Sequence, residues 1–487
     1  MELSRGVGGI AVMRKLTFLL LICLTPQWTL VVPAQKNARR KAATAVDVFA
    51  VVAEVDRIAA TQTLWPNFEP RRVPVEIYDG QTTRLFRHPA PPPEFISLSS
   101  RQGVWAFPGR HETVTGNAPA KLNNVLTATV MLHPGDKASL REHAALVIHE
   151  MFHVHQRERH PKWQGDELEL FVYPFEDAEL LALRREETET LRRAEAARGA
   201  KGGACWARLA LTARSARFAR LSKGAQAYER ASELNEGLAR YVQARAAARH
   251  TANLPADDYP AEDLRTRVYA TGHALALLLE RFMPAWTARL EAGENLSLDE
   301  LLAAALSQES SPVNNAASST SSKSPVSSCA LPQSFAESAR RRAKVEVASL
   351  NERRATLRRE FEAQAGWKII ITAQAGAPLW PQGFDPLNVH RLGQREVLHT
   401  RYLKLGNEAG AIEILDRRSL TEGAGAEHPL FNGVRQLTLA GLAAEPATEE
   451  AEGKTTITAA NIKGEFRGAR LERAGQTLNI ILPSPSK

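Results

Sequence analysis

Cysteine is scarce, with three residues in a chain of 487 and no Cys-x-x-Cys pair, which excludes a structural zinc held by paired thiolates. The chain also lacks a glycine-rich phosphate-cradling loop, an internal repeat and any basic patch interleaved with aromatics. Its formal charge of +8 therefore points to no nucleic-acid partner. Basic residues such as Arg340, Arg341 and Arg342 sit among glutamates, as on a solvated helix face, and leave open only attraction to anionic cell-surface polymers. With 44% hydrophobic and 24% charged residues, neither wholesale disorder nor a membrane-spanning bundle is indicated, and the length suits roughly two to three folding units.

The one strongly apolar run near the start, residues 16–24, falls short of the ~20 residues that a membrane span needs. It follows Arg14 and Lys15 and precedes Val32, Pro33 and Ala34, the pattern of a secretory signal cleaved after Ala34. The alternative is an uncleaved anchor extended through residues 28–32. A secreted or periplasmic location is expected, with no stable membrane span once the signal is removed. Cleavage would leave Cys205 and Cys329, which fit either one disulfide in an oxidising compartment or two free thiols.

Periodicity predicts a helix over 46–60, a short strand over 73–78 and a β-prone run over 125–132, broken by Pro134, Gly135 and Asp136. Ser139 and Glu142 have the spacing of a capping box, so a helix should run from there to about residue 157. Further helices are expected over 177–197, which is rich in Arg and Glu, over 225–248 and over 269–282. Residues 307–328 are dominated by Ser, Asn and Pro and read as a linker or long surface loop. A helix over 334–363 then leads to short alternating runs that suggest a small all-β sandwich or barrel. The expected class is α+β: signal 1–34, a mostly helical domain 35–305, linker 306–332, connecting helix 333–365 and a β domain 366–487.

Chemistry concentrates at His149, Glu150, Met151, Phe152 and His153. On a helix each residue advances ~100°, so His149 and His153 lie ~40° apart and one turn along, aiming both imidazoles at a common point. Glu150 sits ~100° round, where a carboxylate can take a proton from water without entering the coordination shell. His155 points ~240° away and His160 lies ~16 Å further along the axis, so neither should share that ion, and His155 reads as a surface or packing residue. Leu146, Val147 and Ile148 are available to bury the site. The plainer alternative is a helix whose histidines hydrogen-bond in the core or face water.

A catalytic zinc keeps three protein ligands and one open position, so two histidines require a third partner. Glu236 is the best candidate, because Gly237 and Ala239 are small enough to let its helix approach another closely. Against it, Leu234, Leu238, Tyr241 and Val242 occupy the opposite face and Arg240 lies four residues on, as for a solvent-facing ion pair. Glu233 is a rival, as are Glu179 and Glu186 in the Arg/Glu-rich helix.

The combination of His149-Glu150-x-x-His153 with the later Asn235-Glu236-Gly237-x-Ala239-x-Tyr241 resembles the gluzincin zinc peptidases, particularly peptidase-MA-like proteins, over roughly residues 120–285. The resemblance implies a zincin-like catalytic domain, Zn2+ held by His149, His153 and Glu236, Glu150 as general base, and a peptide or protein substrate. It also implies that the helix carrying Tyr269 and His273 packs against the site, where either side chain would donate a hydrogen bond to the oxyanion; the alternative is that both are satisfied core residues. The strand over 125–132 is expected to line the cleft and pair with an extended peptide. Rival expectations are a non-catalytic zincin-scaffold binding or assembly protein at the cell surface, and a zinc hydrolase of a non-peptide amide.

Overall fold

The computed structural model describes residues 46–309, 329–385, 388–425 and 428–484. The expected signal and most of the Ser-rich segment lie outside them. Helix α1 (Val48–Thr61) starts where the Asp47 side chain accepts from the amides of Phe49 and Ala50, and it buries Val48, Val51, Val52, Val55 and Ile58 along one stripe. Six strands follow: β1 (Val75–Tyr78), β2 (Thr82–Phe86), β3 (Ile96–Ser97), β4 (Val104–Pro108), β5 (Ala118–Leu122) and β6 (Val125–Met131). They form one sheet in the order β3-β4-β2-β1-β6-β5, in which β1 and β6 run parallel. The run expected to line a cleft is therefore paired on both sides, by β1 and β5, and has no free ladder for a peptide. The unpaired edge on that side belongs to β5.

After the turn at Gly135, φ 82°, helix α2 (Leu140–Arg159) begins with the expected capping box. The Glu142 amide donates to Ser139 Oγ at 3.3 Å, and the Ser139 amide donates to Glu142 Oε2 at 2.8 Å. Between His143 and Gln156 every residue except Leu146 is buried, so α2 runs through the core even though it carries several polar side chains.

The remaining helices are α3 (Ala178–Ala196), α4 (Ala200–Phe218), α5 (Lys223–Ser232), α6 (Leu238–Ala246), α7 (Leu264–Phe282), α8 (Trp286–Glu291), α9 (Leu298–Glu309) and α10 (Gln333–Glu362). The helix expected over 225–248 is interrupted by a π-helical turn, Glu233–Gly237, between α5 and α6. The Arg/Glu-rich helix α3 is far from solvated. Its Glu187 is fully buried and is met by Arg214 at 2.9 Å, Arg217 at 2.7 Å and Arg267 at 3.1 Å. Burial opposes ionisation of Glu187, but the three guanidinium groups hold it well below the usual carboxylate range. Such charges persist in a core only when fully paired; removing one partner typically costs ~3–5 kcal/mol.

The helix expected as a connector belongs to the helical core: Ala339, Ala343 and Leu350 of α10 pack with Tyr173, Leu180 and Val268. Ion pairs Arg340–Glu179 and Arg353–Glu262 tie it down further, and a Cys205–Cys329 disulfide joins α4 to the segment preceding it. Beyond α10, thirteen strands among the described residues form sheets of seven and six around a single core, with Ile369, Ile371 and Leu437 from one and Leu403, Ile412 and Phe466 from the other. This region docks onto the helical part where Phe384 and Phe431 approach Phe171 at 5.9 and 6.4 Å between ring centres and Arg391 Nη1 donates to the Tyr173 carbonyl at 3.3 Å. The class is α+β. Among the described residues no helix is long and apolar enough to cross a membrane.

Candidate metal centre

His149 and His153 project from the same face of α2, and their Nε2 atoms lie 3.1 Å apart. Glu236 Oε2 approaches them from the π-helical turn, 3.3 Å from His153 Nε2 and 3.8 Å from His149 Nε2. Bonds of ~2.0–2.1 Å at tetrahedral angles place donor atoms ~3.4 Å apart, so these three are spaced to hold one metal ion. The structure thus brings together His149, His153 and Glu236. Arg240, the alternative partner of Glu236, is exposed and forms no ion pair with it among the described residues.

The π-helical turn explains how Glu236 arrives there. A wider turn disturbs the regular backbone ladder, and the carbonyls of Leu234 and Asn235 accept from Gln156 Nε2 at 3.0 and 2.8 Å. That side-chain orientation is fixed, because a carbonyl only accepts. Gln156 Oε1 must then accept from His153 Nδ1, 2.8 Å away, which places the His153 proton on Nδ1 and leaves Nε2 free to ligate. Gln156 thereby joins one ligand helix to the carrier of the third ligand. In the sequence its only signal is its place one turn after His153.

Gly237 has the small side expected of it, but toward a different neighbour. A Cβ there would lie 2.6 Å from the Gly272 Cα, so the two glycines let the π-helical turn close onto α7 rather than onto α2. Glu233 is unavailable as a ligand: it is fully buried, gripped by Arg214 at 2.7 and 2.6 Å, and accepts from Thr271 Oγ1 at 2.7 Å. Glu179 pairs with Arg340 at 3.2 Å, and Glu186 stays on α3 outside the group.

Glu150 is buried beside the two histidines with Oε2 unpartnered. Burial pushes its carboxyl up, against the pull of His149 and His153. For Glu236 burial acts in the same sense, but hydrogen bonding to His149 and His153 overcomes it and holds the carboxyl well below its usual range. Burial resists charging of His153, yet the Glu236 carboxylate prevails and raises it. Tyr269, half-buried on α7, is pushed up by burial and by the nearby Glu236 carboxylate. His273, one turn further along α7, is buried with neither ring nitrogen partnered, and burial pushes it down to about 4. Tyr269 therefore reaches the metal-binding group, whereas His273 faces elsewhere.

A second set of converging donors, His155, His160 and Glu291, was not legible in the sequence, since Glu291 lies 136 and 131 residues from the two histidines. His155, expected at the surface or as packing, is buried with Nε2 3.2 Å from Glu291 Oε2, and His160 Nε2 lies 3.0 Å from the same oxygen. Trp65 Nε1 at 3.0 Å, Asn67 Nδ2 at 3.3 Å and Arg159 Nε at 2.9 Å also point to this carboxylate. Its lone pairs are thus filled and its charge is matched by Arg159, which makes Glu291 a hydrogen-bonding hub complete without an ion. The first set has no such cation and leaves His149 Nδ1 and Glu150 Oε2 buried without partners, as fits a metal centre. No protein-family model, curated protein or solved structure matches the chain.

Proposed function

We propose that the protein is an exported zinc-dependent peptidase, with zinc held by His149, His153 and Glu236. The observation that carries this reading is the convergence of two imidazole nitrogens and one carboxylate oxygen beside a buried, unpartnered Glu150. Two nitrogen donors and one oxygen at tetrahedral spacing suit zinc and leave a fourth position open. When bound, zinc supplies Lewis acidity, which eases deprotonation of water and polarises a scissile carbonyl. The chain's own groups do the rest. Glu150 accepts a proton from water at its carboxylate and delivers it to the leaving amine, and its raised affinity for protons suits both transfers. Tyr269 keeps its proton and, near the Glu236 carboxylate, can offer its hydroxyl to the developing oxyanion. The Cys205–Cys329 bridge and the apolar run before Ala34 support export to an oxidising compartment.

Replacing Glu150 by Gln should leave stoichiometric zinc and lower peptide hydrolysis by at least about a hundredfold, since an amide cannot act as general base. Metal analysis together with turnover on a broad peptide library checks this. Near-normal turnover in that variant removes the mechanism; a wild-type protein that holds zinc and cleaves nothing returns the chain to the non-catalytic binding role.

A further inference from the structure

Beside the metal centre lies a cavity of about 280 Å³ whose walls include Leu146 of α2, Arg240 and Gln243 of α6 and His273 of α7. Three of these sit one helical turn from a site residue: Leu146 four before Glu150, Arg240 four after Glu236, His273 four after Tyr269. The three displacements point the same way. Helices α2 and α6 run antiparallel, since Gln156 meets Leu234 while Arg141 Nε donates to the Ala246 carbonyl at 2.8 Å. The π-helical turn and α6 run parallel to α7, since Thr271 meets Glu233 while Arg245 meets Glu280 at 3.2 Å. The cavity therefore lies about one helical turn from His149, His153 and Glu236, on the same side of all three helices.

Its charges are unequal. Glu142 is taken by Arg249, and Asp136 lies 3.4 Å from His143. Arg240 has no ion-pair partner among the described residues, and His273 is 98% buried with both ring nitrogens unpartnered although it borders the cavity. A buried imidazole without a partner is costly unless a ligand completes it. An incoming ammonium would be repelled by Arg240, and an apolar side chain would leave the His273 imidazole unsatisfied. A carboxylate accepts from the guanidinium and from an imidazole N–H at once.

We propose that this cavity is a substrate subsite for a carboxylate flanking the scissile bond, read by Arg240 and His273. The proposal rests on the peptidase reading and adds its substrate class: peptides with an acidic residue, or a free C-terminal carboxylate, next to the cleaved bond.

The test uses the zinc-loaded full-length protein. The cleaved bond is first located in a neutral, amidated peptide; four versions then carry glutamate or glutamine beside that bond, each with a free or amidated C-terminus close by. One carboxylate-bearing version should exceed the neutral one by about tenfold or more in kcat/KM, mainly through KM, which is the scale of one charge-assisted interaction. Whether glutamate or the free terminus carries the gain identifies the source. Arg240→Gln should bring that ratio to within about twofold of unity, and Arg240→Lys should restore part of it. Equilibrium binding of the same peptides to the Glu150→Gln protein should show the same ordering without turnover. Equal rates across all four peptides, or a ratio that survives Arg240→Gln, overturn the subsite and leave the peptidase intact; failure of the wild type to cleave any peptide overturns both.

Discussion

Gln156 neither ligates metal nor moves a proton, yet the geometry of the candidate centre depends on it. It orients His153 through one hydrogen bond and secures the carbonyls of the π-helical turn through two more. Replacing it by Ala should weaken zinc binding by about 10- to 100-fold, the usual cost of losing a group that orients a ligand. Competition with a chelator measures this, with circular dichroism to verify folding; unchanged affinity in a folded variant would mean that the ligands are held by packing alone. At this scale the sequence is informative where spacing and geometry coincide. His149, Glu150 and His153 share one helix, so their relation follows from 3.6 residues per turn. Glu236 is 83 residues beyond His153, and residue type with small neighbours pointed to it, although those neighbours turn out to serve the contact with α7. Gln156 and Glu291 were illegible, because a hydrogen-bonding partner across the fold leaves no periodic trace.

Among elements, the π-helical turn between α5 and α6 decides where Glu236 points, and the Gly237–Gly272 contact decides how close that turn lies to α7. A Cβ on Gly272 would fall 2.8 Å from both the Glu233 carbonyl oxygen and the Gly237 Cα, and neither is the movable end of a side chain. Gly272→Ala should therefore cost about 1–3 kcal/mol of stability, as overpacking does, and should also weaken zinc binding, because relief requires shifting the turn that bears Glu236. Urea unfolding combined with zinc titration tests both; loss of stability with full zinc affinity would show that the turn and the ligand move independently. The capped start of α2 and the limits of α1, α3 and α10 were readable from local signals, whereas α4, α8 and α9 were not anticipated. The π-helical turn was not readable either, since one extra residue in a turn has no compositional mark. Nor was the pairing of β6, because alternation identifies a strand but not its neighbours. Helix α3 was legible only as a helix rich in Arg and Glu, and its fold partners Arg214, Arg217 and Arg267 account for its buried Glu187.

In the whole molecule, the drop in apolar periodicity after residue 306 suggested a boundary that the core does not respect. Helix α10 supplies Ala339, Ala343 and Leu350 to the packing around Tyr173 and Leu180, and the segment before it carries the cysteine bonded to Cys205. A disulfide that closes a loop with a sequence separation of 124 residues restricts the unfolded chain strongly, and such bridges contribute about 2–4 kcal/mol. The strands beyond Trp367 keep a core of their own and touch the helical part mainly around Phe171, Tyr173 and Glu176 and along α10. Division of the chain should therefore succeed after α10 and fail before it. A fragment of residues 46–365, oxidised, should be soluble and bind one zinc, whereas 46–305 should aggregate or lack cooperative unfolding, because it exposes the apolar surface that α10 covers and cannot form the bridge. Size-exclusion chromatography, thermal unfolding and metal analysis of the two fragments distinguish these outcomes; a shorter fragment that unfolds cooperatively near the full-length temperature and holds zinc would make α10 a connector after all.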